Sequence, residues 1–168
     1  MQYKTLIVDD EPLARLRMAK LLEPYTDLIS VVGEASCGEQ AIAKIQEIQP
    51  DLVFLDIQMP DMSGFDVLNA VGDEMAPVVV FTTAFDEFAL RAYEEYTVDY
   101  LLKPIEEGRL HATIEKLRKL AETFSGEAES RDEIMNSFRR LMDKKEQYLL
   151  RLQVKIGDRT LFIPVDTV

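Results

Sequence analysis

Residues 78–82 read Val-Val-Val-Phe-Thr, an apolar run that lacks the polar alternation of a half-buried strand. Because such a strand would be buried on both faces, the run is typical of a parallel sheet covered by helices on two sides. Comparable β-branched runs lie before and after it. The five predicted strands cover residues 4–8, 29–35, 52–55, 78–82 and 98–102.

Amphipathic stretches separate these strands. In residues 39–48, for example, Ile42, Ile45 and Ile48 recur at helical spacing, and Pro50 stops the helix from continuing. The predicted helices cover residues 12–22, 39–48, 64–71, 87–95 and 107–123. Five alternating strands and helices predict an α/β fold, a doubly wound parallel sheet with helices on both faces.

The composition changes after residue 123. Residues 125–130 read Ser-Gly-Glu-Ala-Glu-Ser, a polar break without periodicity. We therefore predict one domain over residues 1–123 and a linker over residues 124–147, with a helical stretch at residues 131–145. Residues 148–168 read as two strands around Gly157-Asp158, and a lone hairpin is too small to be a domain.

The overall composition is that of a soluble globular protein. The chain has 168 residues, 47% apolar and 30% charged, and no apolar run approaches the roughly 20 residues of a spanning helix. We expect no membrane partner and a cytoplasmic location. The net charge of −12 arises within residues 1–123, where 11 basic side chains stand against 23 acidic ones. This part should therefore repel nucleic acid.

Chemically active residue types follow four of the predicted strands. Asp9-Asp10 come directly after the first strand, Asp56 after the third, Thr83 after the fourth and Lys103-Pro104 after the fifth. The carboxyl ends of parallel strands meet at one edge of the sheet, where the functional crevice of an open α/β fold lies. We therefore expect these side chains to be neighbours.

Three carboxylates at one edge would repel one another unless a cation or protons lay among them. An oxygen-only ligand set without His or Cys favours Mg²⁺, with Mn²⁺ as a possible substitute. A carboxylate that holds the metal through one oxygen can attack phosphorus with the other. Asp56 is then the candidate nucleophile, while Lys103 and the Thr83 hydroxyl would contact the transferred phosphoryl oxygens.

Other interpretations stay open for these residues. Taken singly, Asp9-Asp10 could cap a helix, Thr83 could be a turn residue and Lys103 a surface charge. A phosphatase of the haloacid dehalogenase type also uses Asp and Mg²⁺, but it needs an acid where Gln58 stands. A flavodoxin-like cofactor binder needs a hydroxyl-rich or glycine-rich loop after the first strand, where this chain is acidic. A receiver that signals by protein contact without phosphorylation is a further alternative.

Over about residues 3–121 the sequence strongly resembles the receiver domains of two-component response regulators. The matching segments are residues 6–12 (Leu-Ile-Val-Asp-Asp-Glu-Pro), 55–64 (Leu-Asp-Ile-Gln-Met-Pro-Asp-Met-Ser-Gly), 83–84 (Thr-Ala) and 99–104 (Asp-Tyr-Leu-Leu-Lys-Pro). The resemblance implies a flavodoxin-like sheet of order 2-1-3-4-5. It also implies a sensor histidine kinase as the phosphoryl donor and a protein that is not a classical enzyme.

The resemblance also implies the role of each site residue. Asp56 would be the phosphoacceptor, Asp9 and Asp10 would form the acidic pocket, and the backbone carbonyl of Gln58 would complete the protein ligands of Mg²⁺. Lys103 would form a cis peptide with Pro104. Thr83 and Tyr100 would be the switch pair, in which the hydroxyl moves towards the phosphoryl group and the aromatic ring turns inward.

Residues 89–104 and 152–165 are similar to the LytTR (LytR/AlgR) class of regulators in particular. This similarity implies that residues 148–168 begin a DNA-binding output domain that is incomplete here, so that DNA would be bound only by the complete domain. It also implies a homodimer through the fourth helix, fifth strand and fifth helix of the receiver. We expect an exposed run around Tyr93, Tyr96 and Val98 on that face.

Overall fold

Five parallel strands form the central sheet in the computed structural model, which describes residues 2–72, 77–84, 97–125, 151–156 and 159–164. The strands are β1 (Tyr3–Val8), β2 (Ile29–Ala35), β3 (Leu52–Asp56), β4 (Val78–Thr83) and β5 (Thr97–Leu102). Their order in the sheet is β2-β1-β3-β4-β5, which confirms the predicted order 2-1-3-4-5. Every predicted strand end lies within one residue of the observed one.

Four helices and a short 3-10 turn belong to this domain in the described residues. They are α1 (Pro12–Leu22), the turn Glu23–Tyr25, α2 (Gly38–Ile48), α3 (Gly64–Val71) and α4 (Glu107–Ser125). Helix α4 is the fifth helix of the sequence prediction, because the helix predicted over residues 87–95 lies outside the described residues. Helix α4 runs two residues past its predicted end at residue 123, and the linker predicted from residue 124 stays a prediction. A polar composition does not by itself end a helix.

Successive strand residues point to opposite sides of the sheet, and the inner strands β1, β3 and β4 are buried on both faces apart from Lys4. On one side, Ile7 and Phe54 pack in a core with Met18 of α1 and Leu117 of α4. The core on the other side includes Leu6, Val53 and Leu55 of the strands, packed with Ala41 of α2 and Phe65 of α3. The apolar runs of β3 and β4 are buried throughout, which is why they show no alternation. The prediction of helices on both faces is confirmed.

Beyond residue 150, β6 (Arg151–Ile156) and β7 (Arg159–Pro164) pair antiparallel, with Ile156 opposite Arg159. These are the two strands predicted around residues 157–158. The helical stretch predicted at residues 131–145 lies outside the described residues. Within the described part of the chain, every helix is too short or too polar to cross a bilayer.

Candidate functional site

The first loop of the site is the turn between β1 and α1, which carries Asp9 and Asp10. The backbone N–H of Asp9 donates to the Ala35 carbonyl of the neighbouring β2 at 3.1 Å. The Asp9 carboxylate in turn accepts a hydrogen bond from the backbone N–H of Glu11 at 3.0 Å. Asp9 is buried and Asp10 half-buried, so the turn presents one enclosed and one more accessible carboxylate.

The second loop joins β3 to α3 and begins at Asp56, the last residue of β3. Asp56 is buried, and its Oδ1 accepts a hydrogen bond from the backbone N–H of Gln58 at 3.1 Å. The loop folds back on itself within a few residues, because Gln58 and Ser63 form an isolated antiparallel bridge. Ser63 then caps α3 through a reciprocal pair of bonds with Asp66. A short, closed loop of this kind restricts the orientation of the Asp56 side chain.

The third loop follows β5 and carries Lys103. Its backbone N–H donates to the Thr83 carbonyl at 2.7 Å, and the peptide bond between Lys103 and Pro104 is cis. The Lys103 Nζ lies 2.6 Å from Asp56 Oδ2 and 2.7 Å from Asp9 Oδ2. One ammonium group is thus shared by carboxylates from two different strands.

These contacts change the ionisation of the site. Burial raises the pKa of Asp56, an effect that Lys103 and the Gln58 N–H only partly offset. For Lys103 burial acts to lower the pKa, yet the hydrogen bonds and charges of Asp56 and Asp9 together outweigh it, so that the pKa is raised. The ammonium therefore stays protonated at neutral pH.

The three carboxylates at this edge form a potential metal site. Ligand oxygens of Asp9, Asp10 and Asp56 all lie within 4.8 Å of one another. When all three are ionised, the single charge of Lys103 leaves two negative charges without compensation. A hard divalent cation with oxygen ligands, such as Mg²⁺, fits this donor set. The acidic cluster and the lysine predicted from the sequence are therefore brought together.

The remaining two predicted residues lie on β4 and β5. Thr83 ends β4 and is fully buried, next to the main-chain bond with Lys103. Tyr100 lies on β5, half-buried, and packs against the core on the α2 and α3 side of the sheet. Val98 is half-buried against the opposite core. The expectation that it is exposed is wrong, because its side chain points towards α4, whereas Tyr93 and Tyr96 lie outside the described residues.

The residue before Tyr100 is held by three side chains of α4. The Asp99 carboxylate accepts bonds from Lys116 Nζ at 2.8 Å, Thr113 Oγ1 at 2.7 Å and Arg109 Nη2 at 3.3 Å. Burial acts to raise the pKa of Asp99, but these bonds and the Tyr100 N–H outweigh it, so that the pKa is lowered. Arg109 also donates to the Tyr100 carbonyl at 3.0 Å. The main chain of β5 is thereby attached to α4 at two successive residues.

Two further anchors of the site loops were missed in the sequence. Arg15 Nη1 donates to the carbonyl oxygens of Asp9 at 2.7 Å and Asp10 at 3.3 Å, while Arg15 Nε pairs with Glu34 at 3.1 Å. The signal for this contact was a lone glutamate inside the apolar run of β2.

The other anchor is Asp61, whose carboxylate accepts bonds from the N–H groups of Gly38 and Glu39, each at 3.1 Å. Asp61 thus joins the loop that follows Asp56 to the first turn of α2. An acidic residue in a loop gives no sequence signal for a contact with a helix 22 or 23 residues away.

A cavity of about 420 Å³ opens next to the acidic cluster. Asp9 and Lys103 contribute to its lining, together with Leu13 of α1 and Ile105. On α1, Leu13 is 77% exposed and Leu16 is 53% exposed.

The family model of the response regulator receiver domain matches residues 5–115. The chain therefore belongs to the response regulator receiver domain family. Among curated proteins, the transcriptional regulatory protein BtsR of Salmonella typhi is 50% identical over 116 residues, which cover 69% of this chain and 48% of that protein. BtsR of Escherichia coli strain K12 is 48% identical over the same length and the same shares. The chain thus spans about half the length of the curated relatives it matches.

Solved structures give the same fold. The response regulatory domain of protein mrkE from Klebsiella pneumoniae superposes with a TM-score of 0.64 at 31% identity, over 71% of this chain and 98% of that one. The REC domain of AraT, a response regulator from Geobacillus stearothermophilus, gives a TM-score of 0.65 at 30% identity, over 73% and 98% of the two chains. Both similarities lie in the parallel-sheet domain.

Proposed function

We propose that this chain is a phosphorylation-gated response regulator whose receiver domain accepts a phosphoryl group on Asp56 from a sensor histidine kinase. The observation that carries the proposal is the arrangement around Asp56, where the Lys103 ammonium lies 2.6 Å away and oxygens of two further carboxylates lie within 4.8 Å. Membership of the receiver family supports the same reaction.

In the proposed reaction an Asp56 carboxylate oxygen attacks the phosphorus of a phosphohistidine. The new O–P bond forms as the N–P bond breaks, and the histidine leaves with the N–P electron pair, taking up a proton. Before transfer, the Lys103 ammonium is hydrogen-bonded to Asp56. After transfer it would form an ion pair with an oxygen of the phosphoryl group. Thr83 would donate its hydroxyl hydrogen to another phosphoryl oxygen.

The carboxylates of Asp9, Asp10 and Asp56 and the main-chain carbonyl of Gln58 would hold Mg²⁺, with Mn²⁺ as a substitute. The clustered carboxylate oxygens support this ligand set. When bound, the metal ion supplies positive charge that the phosphoryl oxygens need during transfer. Lys103 alone cannot supply it, because its single charge is already shared by two carboxylates.

The kinase would approach over α1. Leu13 and Leu16 offer exposed apolar surface, and Leu13 also lines the cavity beside Asp9 and Lys103, so that a kinase docked there could bring its histidine to the site. The reaction would take place in the cytoplasm.

The output would be control of transcription. We place the chain in the LytTR class, with residues 148–168 as the start of a DNA-binding domain, and we assign the switch to Thr83 and Tyr100. The name of the BtsR relatives supports control of transcription, and the pairing of β6 with β7 agrees with a mostly β output domain. Homodimerisation through the α4 and β5 face, together with residues 87–95, would bring two output domains onto DNA.

The central experiment is incubation with Mg²⁺ and a small-molecule phosphodonor, followed by intact mass measurement. We expect a mass gain of one phosphoryl group, its loss on treatment with hydroxylamine, and no gain in Asp56→Ala. The matched control is Asp27→Asn, because Asp27 is an exposed aspartate whose ion pair is with Arg118 of α4. Modification that persists in Asp56→Ala would contradict the assignment.

Dimerisation is tested separately by sedimentation with and without a phosphoryl analogue. We expect a monomer that dimerises when the analogue and Mg²⁺ are present. A monomer under both conditions would remove the dimer from the proposal and leave the phosphoacceptor role intact.

A further inference from the structure

One arginine, Arg15, donates to the main-chain oxygens of both Asp9 and Asp10. One nitrogen of the Arg15 guanidinium contacts both main-chain oxygens, and another nitrogen of the same planar group contacts Glu34 Oε2 at 3.1 Å. The Arg15 side chain is only 15% exposed, although it carries a full charge. A half-buried cation with three acceptors on three different residues is an organised feature rather than a fully solvated surface charge, although its partner Glu34 is 46% exposed.

The sheet fixes where the glutamate lies. Glu34 is the register partner of Ile7 on the neighbouring strand, and the next residue, Ala35, accepts the N–H of Asp9. β2 therefore contacts the turn directly through Ala35 and indirectly through the pair of Glu34 with Arg15. The N–H of Asp9 is therefore bonded directly to β2, and its carbonyl is linked to the same strand through Arg15.

We propose that Arg15, braced by Glu34, is a positioning residue for the Mg²⁺ site, because it bonds the main-chain oxygens of Asp9 and Asp10 and so holds the turn that presents both carboxylates. The proposal rests on the proposed function in that it takes these carboxylates as metal ligands. Arg15 itself is not a ligand and does not touch the transferred group.

Two physical effects of Arg15 on the metal have opposite signs. As a positive charge near the acidic cluster, the arginine repels Mg²⁺, so that its removal by charge alone would tighten metal binding. As a brace, it keeps the two carboxylates in one arrangement, so that its removal would loosen metal binding. The structure favours the second effect, because the guanidinium contacts carbonyl oxygens of the turn rather than the ligand carboxylates.

The test compares Arg15→Lys and Arg15→Gln with the wild-type chain in a Mg²⁺ titration followed by two-dimensional amide NMR. Lysine keeps the charge but cannot bond two carbonyl oxygens and Glu34 with one rigid group. We expect both variants to bind Mg²⁺ about tenfold more weakly, the order of magnitude of losing a residue that orients metal ligands. The matched control is Arg118→Gln, which removes an arginine paired with Asp27 and Glu115 elsewhere and should leave Mg²⁺ affinity unchanged.

A second measurement separates positioning from general loss of structure. If the brace only orders the turn, saturating Mg²⁺ should restore most of the phosphorylation rate in Arg15→Lys, so that the loss appears in the metal dependence and not in the maximal rate. Should Arg15→Gln fail to fold, the inference is tested with Arg15→Lys and Glu34→Ala instead. We expect weaker Mg²⁺ binding in both variants.

Unchanged or tighter Mg²⁺ binding in Arg15→Lys would overturn the inference. Failure of the proposed function gives a different result: a wild-type chain that binds Mg²⁺ at Asp9 and Asp10 but gains no phosphoryl group. The two outcomes are distinguished because metal affinity is measured without phosphorylation.

Discussion

Replacing Gly64 with alanine should displace the main chain of Asp56, the proposed phosphoacceptor. Gly64 begins α3, and a Cβ built there would lie 2.6 Å from the main-chain oxygen of Asp56. The same Cβ would lie 3.1 Å from both Leu55 and Phe81 side-chain carbons. The carbonyl cannot turn away easily, because Asp56 is paired in the sheet with Thr82 of β4. Either α3 moves outward or the main chain of Asp56 shifts.

Both responses destabilise the fold. Forcing an extra carbon into a packed interior typically costs about 1–3 kcal/mol. For a domain of this size each kcal/mol corresponds to a fall of about 3–5 °C in melting temperature. We therefore expect Gly64→Ala to melt roughly 3–15 °C below wild type, and to accept the phosphoryl group more slowly because Asp56 is displaced.

The assay is thermal unfolding followed by circular dichroism, with phosphorylation measured well below the melting temperature. Gly108→Ala is the matched control: it lies in α4 with no atom within 4 Å of the added Cβ. That variant should gain up to about 1 kcal/mol, because alanine is the better helix former. A Gly64→Ala melting temperature equal to or above wild type would refute the argument from close approach.

Three further substitutions test ionisation and capping. Burial raises the pKa of Tyr3 to about 12, so the stability from its bond to Leu117 is present below pH 10 and is lost as pH rises towards 12. In urea unfolding, Tyr3→Phe should therefore lose about 1 kcal/mol at pH 8, and its stability should decline less steeply than that of wild type at alkaline pH. Asp99→Asn should lose about 1 kcal/mol of stability at neutral pH. This loss should shrink below the ordinary aspartate pKa, because the lowered pKa contributes stability only while the carboxylate paired with Lys116 is ionised. A loss that does not change with pH would contradict this. Asp61→Ala should cost at most about 1 kcal/mol in thermal unfolding by removing the cap of α2, and a variant as stable as wild type would show that the cap contributes nothing.

The inner strands were predictable from the sequence because their burial on both faces leaves a continuous apolar run. β3 and β4 are the clearest cases, with each residue buried. Helix α1 was predicted with its observed ends because Pro12 stands at its first position, where a proline is tolerated. The acidic cluster was predictable for a topological reason, since the carboxyl ends of parallel strands share one edge.

What the sequence could not supply were contacts that depend on register and on loop paths. The pair of Arg15 with Glu34 requires β2 to align its glutamate with Ile7, and a shift of one residue would turn that side chain to the other face. Likewise the bond of Asp61 to Gly38 depends on how the loop after β3 folds back over α2. The predicted exposure of Val98 was wrong for the same reason, because the side of β5 that faces α4 was not fixed by a pattern.

The attachment of β5 to α4 limits how a signal could leave this domain. Because Asp99 and the carbonyl of Tyr100 are both bonded to α4 side chains, a reorientation of the Tyr100 ring would be a rotation about its side-chain bonds on a stationary backbone. A ring rotation of this kind would change the shape of the surface around Tyr100 without moving the main chain of β5. The domain could then report its chemical state to a neighbour without reshaping its own scaffold.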